Sequence, residues 1–410
     1  MKRIVYREWL VQPQRYWGLL AILAAVVAVG GLSALYMEHH GHWVTGMTNS
    51  VVWGMPHVFA VFLIIAASGA LNVASIGTVF DKKAYKPLGR LSGLLAVALL
   101  VGGLLVLVLD LGRPDRLLVA MTTHNFSSIF AWNIFLYTGF AAITIGYLWT
   151  MAERKGHRLQ KPVGTFAFLW RLALTTGTGS IFGFLVGREA YDTAILGPMF
   201  VVMSFAYGLA VYMLVLFYTF DADGRPIGPA MLKRLRSLLG LFVSAILYFT
   251  LVYHLTKLYG AKHSDIEAFI LINGGFYSAM FWVGWILIGG LLPLGIIYHP
   301  ELNQRRDWIT AACALVIVGG FAAMYVIIIG SQAYPQEMFP GHSVLQFGAP
   351  GDVGGRVAPY SPSLPEFLLG IGGVGLALLI TAVGVRVLQF LPESLSDRDI
   401  DPHASARPAA

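Results

Sequence analysis

The sequence predicts an all-α polytopic membrane bundle of about ten transmembrane helices with both termini in the cytoplasm, and three observations carry that prediction. Hydrophobic residues make up 57% of the 410 and charged residues only 12%, against roughly 25% charged in ordinary soluble domains. Ten windows of sixteen or more residues lack Lys, Arg, Asp and Glu altogether, each long enough to contribute a helix across about 30 Å of hydrocarbon. The basic residues cluster in alternate connections, as retention of positive loops in the cytoplasm requires. This composition excludes soluble, disordered and coiled-coil chains.

The predicted spans are 17–35, 57–79, 91–109, 127–151, 166–186, 199–220, 238–258, 274–298, 308–330 and 367–388. The fifth rests on the shortest window, between Arg171 and Arg188. Cytoplasmic basic residues precede the first span (Lys2, Arg3, Arg7, Arg15) and follow the second (Lys82, Lys83, Lys86, Arg90). They recur after the fourth (Arg154, Lys155, Arg158, Lys161, Arg171), sixth (Arg225, Lys233, Arg234, Arg236), eighth (Arg305, Arg306) and tenth (Arg386, Arg398, Arg407). Only Arg113, Arg116, Arg188, Lys257, Lys262 and Arg356 fall on the other side. The net charge of +7 is therefore topological, not a nucleic-acid footprint, which would gather its cations into one stripe.

Residues 1–390 form the expected membrane domain. Its first apolar run is too long for a signal peptide and lacks a small-residue cleavage site, so it reads as a retained helix. A long outer loop at 331–366, rich in Pro and Gly, reads as irregular backbone that covers the bundle or docks a partner. Residues 391–410 read as a disordered cytoplasmic tail.

No ionisable residue is expected at mid-membrane, where one would mark an ion path. The polar chemistry gathers instead at the outer helix ends: His57, Asp110, Arg113, Arg188, Glu189 and His254, with eight of the 11 histidines on the outer side, among them His39, His40, His42, His124, His263 and His342. The segment Asp110-Leu111-Gly112-Arg113-Pro114-Asp115-Arg116 alternates acid and base around a helix end. Asp110 and Arg113 either lock that turn or form a proton-exchanging acid beside a cation. In His124-Asn125-Phe126-Ser127-Ser128, Asn125 or Ser127 is placed to cap the fourth helix. Trp132 and Asn133 on its first turns suit either a quinone head group or an interfacial aromatic belt. Near Trp53-Gly54-Met55-Pro56, His57 is either a satisfied interfacial histidine or a proton carrier. Antiparallel packing of consecutive helices brings it to the same face as Asp110.

The lone Cys313 excludes a thiolate-ligated iron–sulfur cluster, a structural Cys zinc site, a disulfide and a CxxCH haem attachment. One outer histidine per helix is too little for bis-imidazole haem, and His39, His40 and His42 lack fixed geometry for a metal. Any redox metal must belong to a partner. A secondary transporter remains an alternative, kept open by Asn72 and Thr175-Thr176. So does a passive membrane anchor for extrinsic subunits.

Trp53-Gly54 before a helix carrying Ser68-Gly69, then Asp110-Leu111-Gly112-Arg113-Pro114 and Ser127-Ser128, resemble the NrfD-like family of polysulfide reductase membrane subunits over most of the chain. The run Glu38-His39-His40-Gly41-His42-Trp43-Val44-Thr45-Gly46-Met47 resembles its DsrP branch, the membrane subunits of DsrMKJOP complexes in sulfur-metabolising prokaryotes. The resemblance implies an inner-membrane protein without metal or haem of its own. It would bind a quinone (menaquinone or ubiquinone) near the outer surface and exchange electrons with a periplasmic ferredoxin-like iron–sulfur subunit of DsrO type. The further partners implied are a multihaem cytochrome c of DsrJ type, a membrane b-type cytochrome of DsrM type and a cytoplasmic iron–sulfur subunit of DsrK type. The quinone-site positions carry over to His57 and Asp110, and then to Arg113, Asn125, Ser128 and Trp132. Some longer members are expected to carry an acid just inside the fourth helix, where this chain has Trp132 and Asn133, so a proton route through that point does not carry over.

Overall fold

The computed structural model describes residues 4–339, 343–345 and 357–400. His342, Arg356 and the rest of 340–342 and 346–356 in the outer loop lie outside the described residues, as do Lys2, Arg3 and the last ten residues with Arg407.

Ten long helices cross the fold: α1 (Pro13–His40), α2 (Met55–Thr78), α3 (Gly89–Leu109), α4 (Ile129–Ala152), α5 (Gln160–Gly183), α6 (Leu196–Ala222), α7 (Pro229–Tyr259), α8 (Phe276–Tyr298), α9 (Arg306–Ala333) and α10 (Leu364–Val387). Among the described residues nine of these are long and apolar enough to cross a membrane; α5, the remaining one, is a 24-residue helix of lower hydropathy. Every predicted span corresponds to one helix. The protein is thus a multi-pass, all-α membrane bundle. α8 and α9 contain π-helical stretches at Met280–Leu291 and Val326–Gly330.

α2 is the central helix, with 94% of its apolar window buried against α3, α5, α6 and α10. Its Ser68-Gly69-Ala70 run makes that possible. Gly69 and Gly208 face each other so closely that a Cβ on either would collide with the other helix's backbone. This is the small-residue packing by which helices associate without a hydrophobic driving force between them. α1 lies at the rim, packed chiefly on α10.

The two ends of the described chain meet on one face. β1 (Tyr6–Arg7) pairs antiparallel with β4 (Leu391–Pro392), Tyr6 opposite Pro392 and Arg7 opposite Leu391, while β2 (Gln336–Phe339) and β3 (Ser343–Leu345) form a hairpin in the long loop. By the charge rule the terminal face is the inner one and the opposite face the outer.

Two expectations fail here. The first ten residues of the supposed disordered tail are structured: Leu391, Leu395 and Ile400 are buried, and Asp397–Ile400 form a helical turn. Asp397 accepts the Ala230 N–H at 3.1 Å at the start of α7, where an anion meets the positive end of the helix dipole. The long loop, expected to be irregular throughout, contains the β2–β3 hairpin.

Candidate functional site

α2 and α3 run antiparallel, so the first turn of α2 stands beside the last turn of α3. That places His57 Nδ1 2.8 Å from Asp110 Oδ2, with side-chain exposures of 17% and 1%. The contact is an ion-pair contact without hydrogen-bond alignment: His57 Nδ1 and both Asp110 oxygens are buried with no aligned hydrogen-bond partner. An imidazole both donates and accepts, and a carboxylate accepts, so together they can hold or move a proton at a ligand oxygen.

The surrounding loop fixes the first turn of α2. Gln332 Oε1 accepts from the Val52 and Trp53 N–H groups at 3.0 and 3.1 Å. The fully buried Glu366 accepts from Gly46 N (2.8 Å), Ser363 N (2.7 Å) and the Tyr360 hydroxyl (2.9 Å). The Tyr360 oxygen in turn accepts the Met55 N–H at 2.6 Å. A Cβ at Gly54 would press on this Glu366–Tyr360 pair. Ser363 and Glu366 also form a capping box at the start of α10. Arg188 ties the same loop down through the carbonyls of Ser50 and Gln332.

Two neighbours of the pair, Trp53 and His42, were named in the sequence but not assigned to the site. Trp53 places its ring 6.1 Å from that of His57 and within 5.5–6.3 Å of Phe130, Phe182 and Tyr191, forming an aromatic wall that reaches α4. His42 Nε2 lies 3.0 Å from the Asp110 carbonyl oxygen, joining the α1–α2 loop to the end of α3. The spacing of Trp53 one helical turn before His57 was the available signal; nothing local marked His42.

The other expected residues are placed differently. Arg113 does not pair with Asp110. It makes a two-pronged contact with Asp115 at 3.0 and 3.1 Å on the exposed loop, which raises the Arg113 pKa and lowers that of Asp115. Asn125 and Ser127 do not cap α4; Asn125 Oδ1 accepts from Ser127 N at 3.0 Å, and Ser128 is the N-cap residue, without a side-chain capping bond. Trp132 is half exposed, donates its indole N–H to the Phe126 carbonyl at 3.0 Å and packs on Phe126 and Phe135. Of the start of α4, it is Phe130 that reaches the Trp53–His57 wall.

The expectation of a charge-free membrane interior is overturned by Arg171. Counted as a loop residue, it lies midway along α5 and is fully buried. Its Nη2 donates to Asn72 Oδ1 of α2 at 2.9 Å, and its guanidinium stacks over Phe168 and Phe205 at 4.9 and 4.7 Å. Just beside it Ser68 and Thr175 share a 2.6 Å hydrogen bond. α5 therefore begins six residues before its predicted start. His254, at the outer end of α7, also faces a buried carboxylate: its Nδ1 is 2.5 Å from Glu267 Oε2.

Fold and site together define a polytopic membrane protein that carries a buried imidazole–carboxylate pair at one membrane face, behind an aromatic wall. Residues 43–336 match the polysulphide reductase NrfD family, and the chain belongs to that family. It is 30% identical over 381 residues to the Hdr-like menaquinol oxidoreductase integral membrane subunit of Archaeoglobus fulgidus, covering 92% of this chain and 94% of that one. It is 27% identical to a putative dimethyl sulfoxide reductase membrane subunit of Halobacterium salinarum, covering 90% and 91%. It is 23% identical to a polysulfide reductase chain of Wolinella succinogenes, covering 70% and 96%.

Proposed function

We propose that this chain is the quinone-reactive subunit of an inner-membrane respiratory complex and that His57 and Asp110 hold the quinone head group at the outer face. The observation that carries the reading is the 2.8 Å contact between them, with hydrogen-bonding capacity unspent, at the outer ends of two helices. The Archaeoglobus relative, an integral membrane subunit of a menaquinol oxidoreductase, supports a quinone as the ligand.

In the oxidising direction a quinol loses two electrons and two protons. His57 accepts the proton of one ring hydroxyl and, once it has released that proton to the outer side, the proton of the other, while Asp110 holds each imidazolium as it forms. Trp53 and Phe130 keep the ring in place. The electrons pass to an iron–sulfur partner docked outside, because the chain offers no thiolate set for a cluster and the outer histidines His57 and His254 each face a buried carboxylate. The same residues serve quinone reduction. The resemblance to the DsrP branch supports a role for the complex in sulfur metabolism, with DsrO-, DsrJ-, DsrM- and DsrK-like partners.

The test is binding of a quinone analogue to the purified chain, followed by tryptophan fluorescence, in the wild type and in His57→Ala. Binding lost in the variant supports the site. Unchanged binding in a properly assembled variant rejects it, and no binding to either form favours a passive anchor or a transporter.

A further inference from the structure

An apolar cavity of about 470 Å³ lies between α1, α2, α3, α6, α9 and α10. Its volume falls within the roughly 300–1,000 Å³ of natural ligand pockets. It does not belong to the quinone reading. Phe62 and Leu63 line it, and at about 100° per residue they point about 140° and 240° away from His57 around α2. Its threonines have no proton left for a quinone ring. The Thr219 and Thr381 hydroxyls donate to carbonyls of their own helices, and the Trp9 indole N–H donates to the Thr219 carbonyl at 3.0 Å. A hydrocarbon chain suits such walls.

The cavity runs from mid-membrane toward the inner face, where Trp9, Tyr218, Thr219 and Val385 lie. At that end Arg15 stands on the same stripe of α1 as the lining residues Leu19 and Leu23, within an arc of about 80°. Arg15 is exposed, points by helix geometry toward the inner face, and makes no ion pair among the described residues. Asp223, the acid at this rim that accepts the Leu10 N–H, is already paired with Arg225 at 2.6 Å. A second cation, Arg386, follows the lining residue Val385 and donates to the Trp9 carbonyl at 2.5 Å.

We propose that this groove holds one anionic phospholipid of the inner leaflet, with an acyl chain in the cavity and its phosphate on Arg15. The lipid fills the seam between the rim pair α1–α10 and the central helices. Arg15 supplies a charge-assisted contact that a lipid without net charge engages less well.

The experiment uses the full chain in mild detergent, with retained lipid measured by native mass spectrometry after exchange into mixtures of phosphatidylglycerol and phosphatidylcholine. The expected result is one tightly retained phosphatidylglycerol. Arg15→Glu should lower its retention about tenfold, the scale of one charge-assisted hydrogen bond, and Arg15→Lys should keep most of it. Ala382→Phe, which fills the cavity from α10, should displace the same lipid while quinone-analogue binding at His57 persists. Equal retention of the two lipids, indifference to both Arg15→Glu and Ala382→Phe, or a quinone displaced by Ala382→Phe would each overturn the proposal. The two lipid readouts leave the His57 site untouched, whereas a quinone displaced by Ala382→Phe would move the quinone reading from His57 to this cavity.

Discussion

Arg171 and Asn72 meet across the α2–α5 interface at 2.9 Å, and among the described residues no carboxylate lies within ion-pair distance of that guanidinium. A charged side chain inside a bundle persists only where amides, carbonyls or aromatic faces replace its water. Asn72 therefore stabilises the fold through Arg171. Asn72→Leu should cost about 1.5–3 kcal/mol, the range for hydrogen bonds to charged groups. Arg171→Met in the same background should recover part of the loss, because it removes the stranded charge. Thermal unfolding in detergent of the two single variants and the double variant gives the coupling energy. Additive losses would mean that the two side chains act independently.

The His57–Asp110 contact makes a different kind of prediction. If the pair moves a proton as a unit, His57→Gln and Asp110→Asn should each lower quinol turnover by about 10²–10⁴, the usual worth of a positioned acid or base. The double variant should be little worse than either single one. Arg113→Ala should leave turnover within about twofold, since Arg113 engages Asp115 on an exposed loop and not Asp110. The assay is quinol oxidation by the membrane-embedded complex; a large loss in Arg113→Ala would return Arg113 to the site.

Most of this architecture was legible because the bilayer imposes a one-dimensional code: apolar windows of one length and cations on one side. The code fails where a buried charge is met in part from other elements. Arg171 ended a charge-free window and was counted with the loop cations, yet Asn72 and Phe205 meet it from other helices, at sequence distances no window contains. The meeting of His57 with Asp110 was legible for a related reason. His57 and Asp110 close opposite ends of consecutive spans, which antiparallel packing must bring together. The Arg113–Asp115 contact was not legible, because the choice between partners two and three residues away depends on the backbone of one turn. Trp132 has the composition of a site residue, but its indole N–H reaches the Phe126 carbonyl and its ring packs on Phe126 and Phe135.

The buried Glu366 gives the third prediction. Its two oxygens accept from Gly46, Ser363 and Tyr360, and so hold the loop that starts α2. Glu366→Gln replaces an acceptor by an NH₂ donor facing other donors, at a cost of about 1–3 kcal/mol. Quicker protease cleavage within residues 45–54 should accompany weaker quinone-analogue binding, as the first turn of α2 loosens. Tighter or unchanged binding with a protease-sensitive loop would separate the strap from the His57 site.

The inner face supplies the fourth. Leu391, Leu395 and Ile400 are buried, β4 pairs with β1, and Asp397 covers the first turn of α7. Ending the chain after Ile400 removes none of these contacts, so the melting temperature should stay within about 1 °C. Ending it after Phe390 removes three buried apolar side chains, each worth roughly 1.5–3 kcal/mol, and strips the anion from the α7 N-terminus. That truncation should lower the melting temperature by several degrees and reduce the yield of folded protein. Asp397→Ala in the full chain isolates the helix-end contribution, for which about 0.5–2 kcal/mol is expected. If both truncations melt together, the segment from 391 to 400 rests on the bundle without stabilising it.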